Sequence, residues 1–270
     1  MCKNGCAKKT LGLVVIISLV LAVFRAILII KNMENNYDNH TYYLLANGKT
    51  KAFTIIAVAL IPLLFAVAVY LFKGKRAVFD TKDVLSSAAS CTLAFILLGT
   101  FLVFIRDYFK SESVANLTLA IAFFSILSGA VFIFMGLKGD GSNLLAAFTL
   151  VPMVFTLLRL LSDFLSTGAT PFANSGGYHL MGLSVLLLFF LCEGKAFLSS
   201  GSAALLYGYG YIAILLLLVY ALPDLALHCF SFGVFSFDYA AALSVADIVT
   251  AFYIAARLNS AKFEKLAKEE

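Results

Sequence analysis

Six ionisable residues lie in stretches that are otherwise almost wholly apolar: Arg25, Arg159, Asp163, His179, Asp224 and Asp247. A charged side chain at the centre of a membrane helix costs about 2.5–3.5 kcal/mol on insertion scales. Such groups therefore pair with one another or face a wet cavity, and they mark ion and solute pathways. Arg25 and Arg159 suit an anionic group, and Asp247 suits a proton or a cation. Asp163, one helical turn beyond Arg159, is placed to pair with it and set its orientation. The arginines have stems long enough to snorkel to a headgroup. Asp247 does not, and it sits near the middle of its apolar run with Ser244 and Thr250 flanking it at three-residue spacing. Two readings are open for it: a buried pair with Arg25 or Arg159 that locks the helices, or a ligand or ion site.

Two prolines fall inside apolar runs, Pro62 and Pro152 on the face of Arg159, and Pro223 follows the seventh run directly before Asp224. A proline within a helix frees the carbonyl four residues earlier, so unpaired backbone acceptors are expected beside the polar groups. His40, His179 and His228, with Asp38, Cys229 and Asp238, fall on one side of the expected topology. They lack HxxxH or HExxH spacing on one helix, and no metal or other cofactor is expected. Gly-Tyr-Gly within 206–211 follows Leu-Tyr, where a potassium-channel filter has Thr-Val; these tyrosines read as interfacial anchors in a chain without tryptophan. The phenylalanine-rich run at 230–237 reads as an interfacial segment or a lid over the polar groups. No catalytic constellation occurs: there is no HExxH, no Glu-Glu pair in a span, no pair of aspartates at catalytic spacing, and 125–129 lacks the Gly-x-Ser-Gly order of rhomboid proteases. The chain is not expected to be an enzyme. Asn39-His40-Thr41 fits a glycosylation acceptor. The five cysteines read as small hydrophobes rather than a disulfide framework.

The elements that position these residues follow from composition. The chain has 270 residues, 62% hydrophobic and 13% charged, with a mean hydropathy of +0.97. That charged fraction is about half of what soluble domains carry, which excludes a water-soluble fold. A membrane span takes roughly 20 apolar residues. Runs of that kind occur at 10–30, 52–72, 86–105, 115–137, 144–165, 178–192, 204–222 and 239–258, the seventh being able to continue past Pro223. The first is too long for the core of a signal peptide and ends without a cleavage pattern, so it reads as a retained helix. The fold class expected is all-α: a polytopic integral membrane protein with eight transmembrane helices and no space left for a separate soluble domain. Residues 18–24 resemble 149–155, and 71–75 resemble 191–195. A 4+4 tandem repeat is therefore a candidate, with a first half at 1–137, a second at 138–258 and a short charged tail at 259–270.

The formal charge of +5 speaks to orientation rather than to nucleic acid, which is not an expected partner. Thirteen of the 20 basic residues fall on the side of the two termini and five on the other, so both termini are expected in the cytoplasm of a plasma or bacterial cytoplasmic membrane. The function expected is transporter-like: a small polar or ionic solute bound in an outward-facing intramembrane cavity by Arg25, Arg159, Asp163, His179, Asp224 and Asp247. The alternative is a sensor or accessory subunit with a membrane-protein partner, in which the same charges only fix helix packing.

Overall fold

In the computed structural model, residues 2–36, 48–79, 83–109, 116–138, 143–167, 176–230 and 237–265 are described. In chain order they form α1 (Cys2–Asn36), α2 (Gly48–Phe72), β1 (Lys75–Phe79), α3 (Val84–Tyr108), α4 (Asn116–Lys138) and α5 (Asn143–Phe148). Then follow α6 (Leu150–Thr167), α7 (Gly176–Phe197), α8 (Ala203–Phe230), α9 (Tyr239–Ser260) and β2 (Ala261–Lys265). Eight helical segments are long and apolar enough to cross a membrane, α5 and α6 together supplying the fifth. Helix is the form that satisfies every backbone donor and acceptor within a single apolar segment.

Helices α3, α4, α6, α7, α8 and α9 pack in a closed ring, each against the next, and α1 and α2 attach to it mainly through α8. Helix α8 is the most enclosed of the spans. Its small residues permit this: a Cβ on Gly208 would stand 2.7 Å from the Phe65 ring on α2, and one on Gly210 would stand 2.7 Å from Leu258 on α9. On α1 the two faces separate at helical period. Leu11, Val14, Ser18, Ala22, Arg25 and Ile29 are buried, while Leu13, Ile16, Val20, Phe24 and Ile27 are exposed where lipid would lie.

The chain passes through Pro62 and Pro223 without ending α2 or α8, and Pro152 falls in the first turn of α6, where its missing N–H costs little. The seventh span does continue past Pro223, which places Cys229 inside α8 rather than after it. The sixth runs on beyond Cys192 to Phe197. The region expected as a charged tail is in part a strand. Residues 261–265 pair antiparallel with β1, from Lys75 opposite Lys265 to Phe79 opposite Ala261. Gly74, at a φ of 71°, turns the chain from α2 into β1. This ladder lies at the end of the bundle where α1 begins and α9 finishes, called here the strand end; the opposite end is the far end.

Gly-Tyr-Gly proves to be the start of α8, and Tyr207 and Tyr211 are buried rather than interfacial. Tyr207 stacks on Phe72, packs on Phe263 and donates its hydroxyl to the Leu258 carbonyl, tying α8, α2, β2 and α9 together. Residues 38–41 and 231–236, with the side chains of His228, Cys229 and Phe230, lie outside the described residues. So do the glycosylation motif and most of the phenylalanine-rich run.

Gly201 receives the ladder, donating no side chain but accepting from the Ala77 N–H at 3.2 Å. A Cβ there would meet backbone atoms of Ala196 at 2.8 and 2.9 Å. Gly201→Ala is therefore expected to cost about 1–3 kcal/mol in detergent unfolding. Gly99→Ala on α3, where a Cβ meets nothing within 4 Å, should leave stability unchanged or raise it. Equal effects would show that the ladder does not dock as described.

Candidate functional site

The ionisable residues of the far half gather on facing helices. Asp247, on α9 and 0% exposed, accepts from Arg159 on α6 through both carboxylate oxygens, Nη1 to Oδ1 at 2.6 Å and Nη2 to Oδ2 at 2.8 Å. Such a two-point fork fixes both groups in orientation as well as in charge. His179, near the start of α7, stands between two acids: Nε2 is 2.9 Å from Asp247 Oδ2, and Nδ1 is 2.5 Å from Asp163 Oδ2. Arg159 Nη2 is 3.2 Å from the same Nε2. The Tyr220 ring of α8 stacks on the imidazole at 4.1 Å with an interplanar angle of 13°.

Arg25 and Asp224 form the flank of this cluster. Arg25 is 6% exposed, on the inward stripe of α1, so it does not snorkel. Its Nη1 donates to the Val219 carbonyl at 2.7 Å, and its guanidinium lies 4.5 Å from the centre of the Tyr178 ring. Val219 is four residues before Pro223. That carbonyl has no N–H to accept from within α8, because proline has none, and Arg25 supplies the missing donor. Asp224 accepts from the Ser244 hydroxyl at 2.5 Å and is near enough for its charge to act on Arg25. Tyr178 donates to the Thr54 hydroxyl at 2.9 Å, which brings α2 to the edge of the site.

Four of the six expected residues are thus in direct contact, Arg159, Asp163, His179 and Asp247, with Arg25 and Asp224 beside them. Asp163 meets His179, its Oδ2 lying 2.5 Å from Nδ1. Of the two polar residues that flank Asp247 in the sequence, Ser244 binds Asp224 and Thr250 turns back to the Ala246 carbonyl at 2.7 Å. Tyr178 and Tyr220 were missed. Their neighbours His179 and Asp224 in the sequence were the available signal.

A second polar cluster, at the strand end, was also missed. Glu193 of α7, 0% exposed, accepts through Oε1 from the Tyr253 hydroxyl and from Arg257 Nε, both at 2.7 Å. Arg257 Nη1 donates to the Ser86 hydroxyl of α3 at 3.0 Å, and the guanidinium lies 3.9 Å from the centre of the Phe79 ring and 5.0 Å from that of Phe197. Glu193 lies one residue past the sixth apolar run at 178–192 and Arg257 lies at the end of the eighth, yet both are inside helices, α7 and α9. Each extends inward because the other compensates its charge.

Chemically, the far cluster can hold a proton with little movement of heavy atoms. Asp163 takes the Nδ1–H of His179; Nε2 then either accepts from Arg159 in the neutral ring or donates to Asp247 in the imidazolium. With His179 protonated, the three acids balance Arg25, Arg159 and the imidazolium. Both ring nitrogens face charged partners, so neither is placed to activate a nucleophile. Among the described residues no group of three or more His, Cys, Asp and Glu has the arrangement of a metal site. Fold and composition define the chain as an all-α polytopic integral membrane protein. No family model, curated protein or solved structure matches it.

Removing one partner of a buried pair leaves the other charge uncompensated, at a cost of about 3–5 kcal/mol. Asp247→Asn is expected to destabilise by that amount in detergent unfolding, while Arg159→Met combined with Asp247→Leu recovers most of the loss. Additive losses in the double variant would rule out the direct pair.

Proposed function

We propose that this chain is a transporter-like membrane protein that binds a small polar or ionic solute at the far-end cluster. The observation that carries the reading is the convergence of Arg25, Arg159, Asp163, His179, Asp224 and Asp247, from five helices, on one region of the far half. Six ionisable groups are far more than one helix contact needs, and membrane proteins place such groups at sites of ion or solute passage. Asp163 is 32% exposed and is the route by which the cluster meets the far side. In this reading an anionic group takes Arg159 and Arg25 from their internal partners, and Asp247, released from Arg159, takes a proton or a cation. The internal pairs then fill the site when the solute is absent. The basic bias of the other loops favours the far end as the outer face and the termini as cytoplasmic, in a plasma or bacterial cytoplasmic membrane.

A second reading, the sensor or accessory subunit, is favoured by two features. The Arg159–Asp247 fork is a direct pair, as a structural lock requires. In addition, an apolar cavity of about 590 Å³ opens between Ile61 of α2 and Leu157, Leu161 and Phe164 of α6, floored by Leu180 and Leu216, and this is a shape that side chains of a partner helix can enter.

Thermal unfolding of the purified protein against a panel of organic anions, organic cations, amino acids and inorganic ions separates the two. A solute that binds only the folded protein, at 100 times its dissociation constant, adds about 2.7 kcal/mol. The transporter-like reading expects one solute class to do so in the wild type and in Gly99→Ala, and not in Arg159→Lys or Asp247→Asn. Stabilisation by no member of the panel, or stabilisation that persists undiminished in both site variants, would turn the assignment to the accessory subunit.

A further inference from the structure

The charges of the far cluster balance only when it holds one proton. Arg25 and Arg159 bring two positive charges, and Asp163, Asp224 and Asp247 bring three negative ones. With a neutral imidazole the group carries a net negative charge in the membrane interior, which is costly. The geometry places the compensating proton on His179. Nδ1 lies 2.5 Å from Asp163 Oδ2, and Nε2 lies 2.9 Å from Asp247 Oδ2. A ring nitrogen and a carboxylate oxygen approach so closely when a hydrogen lies between them. Asp247 Oδ2 also accepts from Arg159 Nη2 at 2.8 Å, and a carboxylate oxygen has lone pairs enough for both donors.

The two edges of the ring differ in what they reach. Asp247 is 0% exposed and is held by Arg159 through both oxygens. Asp163 is 32% exposed, so the Nδ1 edge is one carboxylate away from the far side. The groups that face the ring come from each helix packed on it. Asp163 and Arg159 stand on α6 and Asp247 on α9, with Tyr239 of α9 toward Arg159. Tyr220 of α8 covers the ring face, and Asp224 and Arg25 lie beyond it. Tyr178 precedes the histidine on α7.

We propose that His179 is a proton-binding site that exchanges with the far side through Asp163. A hydronium at the far face gives its proton to the Asp163 carboxylate and leaves as water. Asp163 passes the proton to the Nδ1 lone pair, which restores the carboxylate and makes the imidazolium, while Nε2–H stays on Asp247. Release runs backwards along the same path. Each intermediate keeps a hydrogen on both edges of the ring, so the helices need not part. The site deepens the solute reading at one point: when an anion draws Arg159 away, the cation that Asp247 takes is this imidazolium. That step rests on the solute reading, and the proton site does not.

The test is NMR of the full chain in lipid bilayers, labelled with nitrogen-15 at histidine. Combining His40→Gln with His228→Gln leaves His179 as the one histidine of three. Between about pH 5 and pH 9 the ring is expected to pass from two protonated nitrogens to one, in a single reversible step. In Asp163→Asn its N–H protons are expected to exchange with deuterated water at least about tenfold more slowly, because an amide does not carry the proton on; Gly99→Ala leaves the rate unchanged. A ring that keeps one proton throughout the series, or both, would overturn the proposal, and so would undiminished exchange in Asp163→Asn. The titration needs no substitution near the ring. No solute is added, so failure here is distinct from failure of the solute panel.

Discussion

The pairing of Arg159 with Asp247 is the constraint from which the arrangement of the far half follows. Neither charge is tolerable alone in the membrane interior, and the two-point fork fixes α6 and α9 in rotation about their own axes. Once these faces are set, α7 must present His179 to the remaining edge of Asp247, and α8 must bring Tyr220 against the imidazole. In the far half the ring of helices thus closes around polar groups, with the apolar core of Leu97, Phe132, Leu186 and Phe190 beneath them. Lipid tails offer little drive for helix association, so polar contacts and close packing carry more of the specificity here than in a soluble bundle.

Arg25 enters through a different requirement. Pro223 leaves the Val219 carbonyl without its helical donor, and the guanidinium of α1 supplies one. The arginine binds a backbone oxygen and a tyrosine face. A proline that would be a defect in α8 alone becomes the point where α1 is fastened. The same logic, one element completing what another leaves open, recurs at the strand end. There Arg257 is held between Phe79 and Phe197 and bonded to Glu193 and Ser86, so the ladder that covers it is part of the bundle and not an appendage.

Much of this was legible in the sequence because the membrane imposes simple rules. Span length and hydropathy give the eight helices, and the rarity of charge within them singles out Arg25, Arg159, Asp163, His179, Asp224 and Asp247. What pairs with what was less legible. Asp163 lies one turn from Arg159, and its contact with His179 from another helix was not legible, because local spacing says nothing about the neighbour on the next helix. Glu193 and Arg257 escaped for a related reason. A charged residue at the edge of an apolar run reads as the end of a span, and only its distant partner explains why the helix continues. The strand at 261–265 gives no strong signal of its own, since its pairing with 75–79 depends on the helices that bring the two segments to the same end.

The two polar clusters are built on shared helices. His179 and Glu193 lie fourteen residues apart on α7, about 21 Å along its axis at 1.5 Å per residue, and Asp247 and Arg257 both belong to α9. Between them, Leu97, Phe132, Leu186 and Phe190 pack around a space of only about 10 Å³. A tilt or rotation of α7 against α9 that opened one cluster would therefore act on the other, because both helices are long, continuous and gripped at each end by ion pairs. Two buried pairs on two common helices resist being broken together, since that would leave both sets of charges uncompensated, whereas breaking them one at a time leaves one set intact.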